Sequence, residues 1–265
     1  MRTFQSYLTG TALILVVLLS LTACSSEPQL KNVFQGDFLF GTALNRDQIA
    51  GEDPQATALV KKHFNALTAE NVMKWEKIHP APDSFDFEMA DTFMELCEQN
   101  DMQTIGHVLV WHSQTPDWVF EDENGDPASR ELLLQRMENH IKTVAGRYKG
   151  RIVAWDVVNE SFEANGDLRQ SPWMRIIGED YIEKAFQFAR EAAPEARLLY
   201  NDFDMWKPGK REAVMELVQE FKNRGVPIDG IGLQAHWAMD YPPLHELESS
   251  MNASSDLDVD IALTE

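Results

Sequence analysis

Seven apolar, β-rich runs recur along the chain, and almost every one ends on a polar or aromatic side chain. They lie at Phe38–Asn45, Phe64–Asn71, Thr104–Trp111, Ile152–Glu160, Arg197–Phe203, Gly230–His236 and Asp258–Glu265. Longer amphipathic stretches separate them, among them Pro127–Tyr148, Glu179–Ala192 and Lys210–Arg224. In the first of these, Leu133, Met137, Ile141 and Val144 recur at helical spacing. Strands that alternate with helices predict an α/β protein with a parallel sheet. Two arrangements compete. A doubly wound dinucleotide fold would carry Gly-x-Gly-x-x-Gly after its first strand, and no such run exists here. Instead Asn45, Glu70, Asn71, Trp111, His112, Asn159, Glu160, Asp202, His236 and Glu265 cluster at strand ends. Chemistry contributed by every strand is what a (β/α)8 TIM barrel provides. Only about seven strands are present, and the sequence stops at the tip of the seventh. The expectation is therefore a barrel incomplete at its C-terminal side. A chain ending at Glu265 is expected to express poorly or show little activity, because its sheet cannot close.

The first residues read as an export segment. Arg2 precedes an almost wholly apolar run from Ala12 to Leu21, too short to span a bilayer comfortably. The segment ends in Leu21-Thr22-Ala23-Cys24, which resembles a bacterial lipobox. Residues 1–24 are then a lipoprotein signal with lipid on Cys24, 25–33 a polar tether, and 34–265 the barrel. The other reading is a plain cleaved signal with an incidental Cys. The lipoprotein reading predicts an exported protein on the periplasmic or cell-surface side, touching membrane only through Cys24. Cys97 lies on or beside an apolar helical face and is expected to be a buried thiol. Lys and Arg number 23 against 43 Asp and Glu, a formal net charge of −20. Such a surface repels nucleic acid and other polyanions, whereas a neutral polymer meets no barrier. No cofactor or metal is called for, and a monomer is expected.

Ile152–Glu160 is apolar until it presents an amide and a carboxyl side by side. A carboxyl walled by aromatics at a barrel mouth can serve as general acid toward a glycosidic oxygen. The second carboxyl is Glu265. Strands four and seven lie three positions apart round an eight-stranded ring, so their tips can face each other. Two facing carboxyls are the minimum equipment for glycoside hydrolysis.

Seven strings in order resemble family 10 glycoside hydrolases, the endo-β-1,4-xylanases. They are Gly41–Asn45, Phe64–Trp75, Gly106–Gln114, Trp155–Glu160, Tyr200–Phe203, Gly230–His236 and the closing Thr264-Glu265. The resemblance implies xylan or xylo-oligosaccharide as substrate and net retention through a covalent glycosyl-enzyme. It implies that Glu160 is the acid/base and Glu265 the nucleophile. Asn159 would bind the 2-hydroxyl of the reacting sugar, and Glu70, Asn71 and Lys74 the hydroxyls of non-reducing-side sugars. His107, Trp111 and Gln114 would line the cleft, and Gln234 and His236 would sit under the nucleophile. Phe203 stands where a Tyr is expected, which keeps a stacking face and removes a hydroxyl. Blander readings make Trp155 a core residue and Lys74 a snorkelling surface side chain. For Trp118, Trp173 and Trp206, stacking and packing both remain open. His63, His79, His140 and His245 carry no motif and are expected to face solvent. Two rival functions remain: a metal-dependent hydrolase using His107, His112 and His236, and a non-catalytic carbohydrate-binding fragment. Against the first, His107 and His112 are five apart and point to opposite faces of a strand.

Overall fold

The computed structural model describes residues 27–265; the expected export segment, Cys24 and the start of the expected tether lie outside them. The expected strands form one parallel sheet in strict chain order. They are β1 (Gly41–Leu44), β2 (Ala66–Ala69), β3 (Gln103–Val110), β4 (Ala154–Asn159), β5 (Arg197–Asp202), β6 (Gly230–Leu233) and β7 (Asp260–Leu263). Each neighbouring pair is parallel, and β1 and β7 form the two margins. This is a seven-stranded part of a (β/α)8 barrel. The ladders are shorter than the apolar runs, and although Asn159, Asn201 and Asp202 are still paired, most of the polar strand-end residues lie past the last pair. Glu70, Asn71, Trp111, Glu160, His236 and Glu265 consequently stand in the loops just past the strand ends.

The inner strands of the sheet are largely buried on both sides, as parallel strands under helices are, whereas β1 and β7 at its margins are mostly exposed or half-buried. Every residue of β4 is buried. Trp155 is a core side chain, as its bland reading held: a Cβ on Gly106 would come within 2.2 Å of its indole ring. Gly106 is thus the space that the Trp155 ring occupies. Helix Arg130–Arg147 starts where Ser129 accepts a hydrogen bond from Leu132 N at 3.2 Å. Helix Pro208–Arg224 has Pro in its first turn and ends at Gly225, whose φ of 71° suits a residue without Cβ. Cys97 is buried in helix Glu88–Gln99 beside Phe93 and Met94, and burial pushes its thiol pKa up. Trp173 is buried as well, while Trp118 and Trp206 are only partly covered.

Two expectations need correction. Leu30–Val33, expected in the tether, is a helical turn docked on helix Pro54–His63: Leu30 N reaches His63 Nδ1 and Lys31 Nζ reaches Lys61 O. The aromatic series Phe34, Phe40 and Phe64 stacks beside it, so packing begins ahead of residue 34. His79 and His140 do not face solvent; both are buried. His140 lies in register with Leu133, Met137, Ile141 and Val144 on the buried face of its helix. It stacks on Trp75 at 3.6 Å between centroids, and its Nδ1 lies 3.2 Å from His79 Nδ1.

That pair fixes its own proton positions. His79 Nε2 faces the carbonyl oxygen of Pro82 at 3.2 Å and must donate. In the neutral ring, His79 Nδ1 is then an acceptor, His140 Nδ1 donates to it, and His140 Nε2 is bare. Burial holds both rings below the ordinary histidine pKa, with His79 adding to the effect on His140. Folded-state values below those of the unfolded chain mean a contribution complete above about pH 6.5. It is lost as pH falls and the unfolded chain takes up protons that the folded chain refuses. Melting temperature should therefore drop more steeply between pH 7.5 and 5 in the wild type than in His140→Gln. Parallel profiles would contradict the buried neutral pair.

Candidate active site

β4 delivers Asn159 buried at its end, and the backbone then turns sharply at Glu160, whose φ is 58°. A left-handed conformation at a residue with a side chain is costly and persists only when its surroundings hold it. Glu160 N donates to the carbonyl oxygen of Asn201 at 2.9 Å, and Glu160 O accepts from Arg169 Nε at 2.9 Å. The carboxyl Oε1 accepts from Asn159 Nδ2 and from Gln234 Nε2, each at 3.2 Å.

Glu265 stands two residues past β7, with one carboxyl oxygen on each of two partners. Asn201 Nδ2 donates to Oε1 at 3.2 Å, and His236 Nε2 lies 3.0 Å from Oε2. Thr264 Oγ1 turns the Asn201 amide by donating to its Oδ1 at 2.6 Å. Gly232 makes room for this: a Cβ there would lie 2.3 Å from Asn201 Oδ1. Asn201 therefore touches both carboxylic residues, Glu160 through its backbone and Glu265 through its side chain.

The loop after β2 forms the adjoining wall. Lys74 Nζ donates to Asn71 Oδ1 at 3.0 Å and lies 4.7 Å from the centre of the Trp111 ring. Gln114 Nε2 reaches the same Asn71 oxygen at 3.3 Å. Lys74 is 9% exposed, which overturns its snorkelling reading. Burial lowers its pKa first, while Glu265, Glu70 and Glu160 pull it back up. All three carboxylates thus lie within the electrostatic reach of one ammonium. His107 sits deeper, its Nδ1 2.9 Å from Asp156 Oδ2 with both side chains buried. His112 is half-buried and held below the ordinary histidine pKa by burial and then by Arg169.

The sequence profile of glycosyl hydrolase family 10 matches residues 29–265. The chain belongs to glycosyl hydrolase family 10. Endo-1,4-beta-xylanase A of Xylanibacter ruminicola is 45% identical over 258 residues, covering 97% of this chain and 70% of that protein. Endo-1,4-beta-xylanase of Geobacillus stearothermophilus is 43% identical over 244 residues, covering 91% of this chain and 72% of that protein. Among solved structures, a GH10 endoxylanase from a sugarcane soil metagenome superposes with a TM-score of 0.87 at 45% identity. That match covers 89% of this chain and 69% of the other.

In this family 10 chain the structure gathers the expected site residues at one end of the sheet and redirects one of them. Gln234 was expected under Glu265 beside His236. It instead donates to Asn159 Oδ1 at 2.8 Å and to Glu160. Its own N–H is bonded to Asp202 O at 3.0 Å, which continues the β5–β6 pairing by one residue. The sequence assigns Asn201 no role, although it lies within the string Tyr200–Phe203. Its signal was the pattern of polar strand ends, which also holds Asp202. Arg169 gave no signal, because its contact is with a backbone carbonyl in a turn that no periodicity predicts.

Proposed function

We propose that the chain is an endo-1,4-β-xylanase that hydrolyses internal β-1,4-xylosidic bonds of xylan with net retention, Glu265 acting as nucleophile and Glu160 as acid/base. The observation that carries this reading is the bridge at Asn201, which ties two carboxylic residues from β4 and β7 into one hydrogen-bonded unit. The relatives' names supply the substrate class. In the first step a Glu265 oxygen attacks the anomeric carbon, the glycosidic bond breaks, and the Glu160 proton goes to the departing oxygen. In the second, Glu160 takes a proton from water, whose oxygen attacks the anomeric carbon and releases Glu265. Asn201 and His236 hold the two Glu265 oxygens, so the attacking group is oriented before substrate arrives. Asn159, fastened by Gln234, faces the 2-hydroxyl; Glu70, Asn71 and Lys74 hold the non-reducing-side sugars; and His107, Trp111 and Gln114 shape the cleft around the reacting ring.

Proton NMR of a xylo-oligosaccharide digest tests the stereochemistry. Two inversions leave the newly formed reducing end β-configured before mutarotation, and this anomer should appear first. Initial α-anomer would require a water between the carboxyls and a separation of about 6.5–9.5 Å instead of about 5–5.5 Å, and would sink the retaining reading. Cys24 is proposed to carry lipid that anchors the exported protein; identical soluble fractionation of wild type and Cys24→Ser would refute it.

A further inference from the structure

Beneath the Glu160 turn lies a polar chain that the mechanism above does not use. Lys210 and Asp202 form an ion pair at 2.7 Å, and both side chains are fully buried. Such a pair is weak support for stability, since the desolvation of two charges offsets their attraction, and apolar residues of similar size often serve as well. Its hydrogen bonds, however, run in one direction toward the site. Lys210 Nζ and Phe203 N both donate to Asp202 Oδ1, and Tyr200 OH donates to Oδ2 at 2.5 Å. A phenol has one proton to give. With that proton committed to Asp202, the Tyr200 oxygen can only accept, and it accepts from Ser161 N at 3.0 Å. Ser161 is the residue after Glu160, and Tyr181 OH secures its hydroxyl at 2.7 Å.

We propose that Asp202, anchored by Lys210, is a positioning residue for Glu160: through Tyr200 it fastens the peptide that follows the left-handed turn and so aims the Glu160 carboxyl for proton transfer. The inference rests on Glu160 being the acid/base. The backbone of the turn is fastened at Glu160 N, Glu160 O, Ser161 N and Ser161 O. Of these, the bond at Ser161 N is the one that leads through Tyr200 to a buried charged pair. Burial and Asp202 push the Tyr200 hydroxyl pKa well up, so it remains a donor. Burial pushes Asp202 up to about 6 against the opposing pull of Lys210, and the charge of Glu160 adds to the rise. That last influence is the electrostatic sign of the same proximity.

A merely structural network would slow every substrate alike when cut. A clamp on the acid/base slows those that need an acid. Aryl β-xylobiosides spanning dinitrophenol to unsubstituted phenol separate the two cases in the full-length protein. Tyr200→Phe removes one oxygen and keeps the ring; Asp202→Asn removes the charge. For each, the loss in kcat/KM on the phenyl substrate should exceed that on the dinitrophenyl substrate by about 10- to 100-fold, the scale of a misplacement near 1 Å. Equal losses on both substrates overturn the proposal. Glu160→Ala is run in parallel. Should it show no leaving-group preference, the acid/base assignment fails; should it show one while Tyr200→Phe does not, the clamp alone fails. If Asp202→Asn does not fold, Tyr200→Phe carries the test. Hydrogen–deuterium exchange supplies a second readout: the peptide containing Ser161 should exchange faster in Tyr200→Phe, and unchanged exchange there also overturns the clamp.

Discussion

Glu265→Ala is expected to abolish hydrolysis of polymeric xylan and of aryl xylosides alike, by about 10⁴-fold or more in kcat. The size follows from the chemistry. Without a nucleophile no glycosyl-enzyme forms, and a better leaving group cannot compensate because the missing bond is to the anomeric carbon. Asn201 Nδ2 and His236 Nε2 then lose the carboxyl oxygens they now hold at 3.2 and 3.0 Å. The fold should survive, since the Glu265 side chain is 28% exposed and lies outside the apolar core, so its truncation opens no core cavity. Melting curves beside the wild type separate loss of chemistry from loss of folding. A folded variant retaining more than about a hundredth of the wild-type rate would be incompatible with a nucleophilic Glu265.

Glu160→Ala should split substrates instead of losing all of them. Xylan and phenyl xylosides need a proton on the departing oxygen and should lose about 10²- to 10⁴-fold, the usual worth of general acid catalysis. Dinitrophenolate leaves unaided, so the glycosyl-enzyme still forms and then waits for a water that no base activates. Both kcat and KM should fall together for that substrate, because the intermediate accumulates. Azide needs no base to attack, and it should restore turnover by giving a β-configured glycosyl azide. An α-configured azide from this variant, or β-azide from Glu265→Ala, would exchange the two roles.

Much of the site was legible because a parallel barrel sends its chemistry to one end of every strand. The apolar run Ile152–Val158 ends on Asn159-Glu160, and the structure keeps that order, with β4 buried throughout and Glu160 just beyond it. The same reading located Glu265 after β7. What stayed hidden depends on packing at the strand ends, where the period of two no longer holds. Gln234 lies one residue past β6, so alternation could not say whether it leans toward β4 or β7. The buried histidines were partly readable: positions 133, 137, 140, 141 and 144 make one helical stripe, and following it puts His140 inside. Lys210 is the same case, in line with Val214, Val218 and Phe221. A charged residue on an apolar stripe reads as an interruption until its partner is known, and Asp202 lies on another element. Leu30–Val33 shows the opposite limit, since a four-residue turn is too short for periodicity and forms because a neighbouring helix supplies its partners.

The central claim is that Glu265 becomes covalently joined to the sugar. A dinitrophenyl 2-deoxy-2-fluoro-β-xylobioside tests it most directly: fluorine at C2 destabilises the oxocarbenium-like transition states of both steps, while the activated leaving group keeps the first step fast enough to load the enzyme. Mass spectrometry of the inactivated protein should show one fluoroxylobiosyl group per chain, and peptide mapping should locate it on Glu265. Attachment to Glu160 or to any other side chain, or steady turnover with no covalent species, would contradict the mechanism.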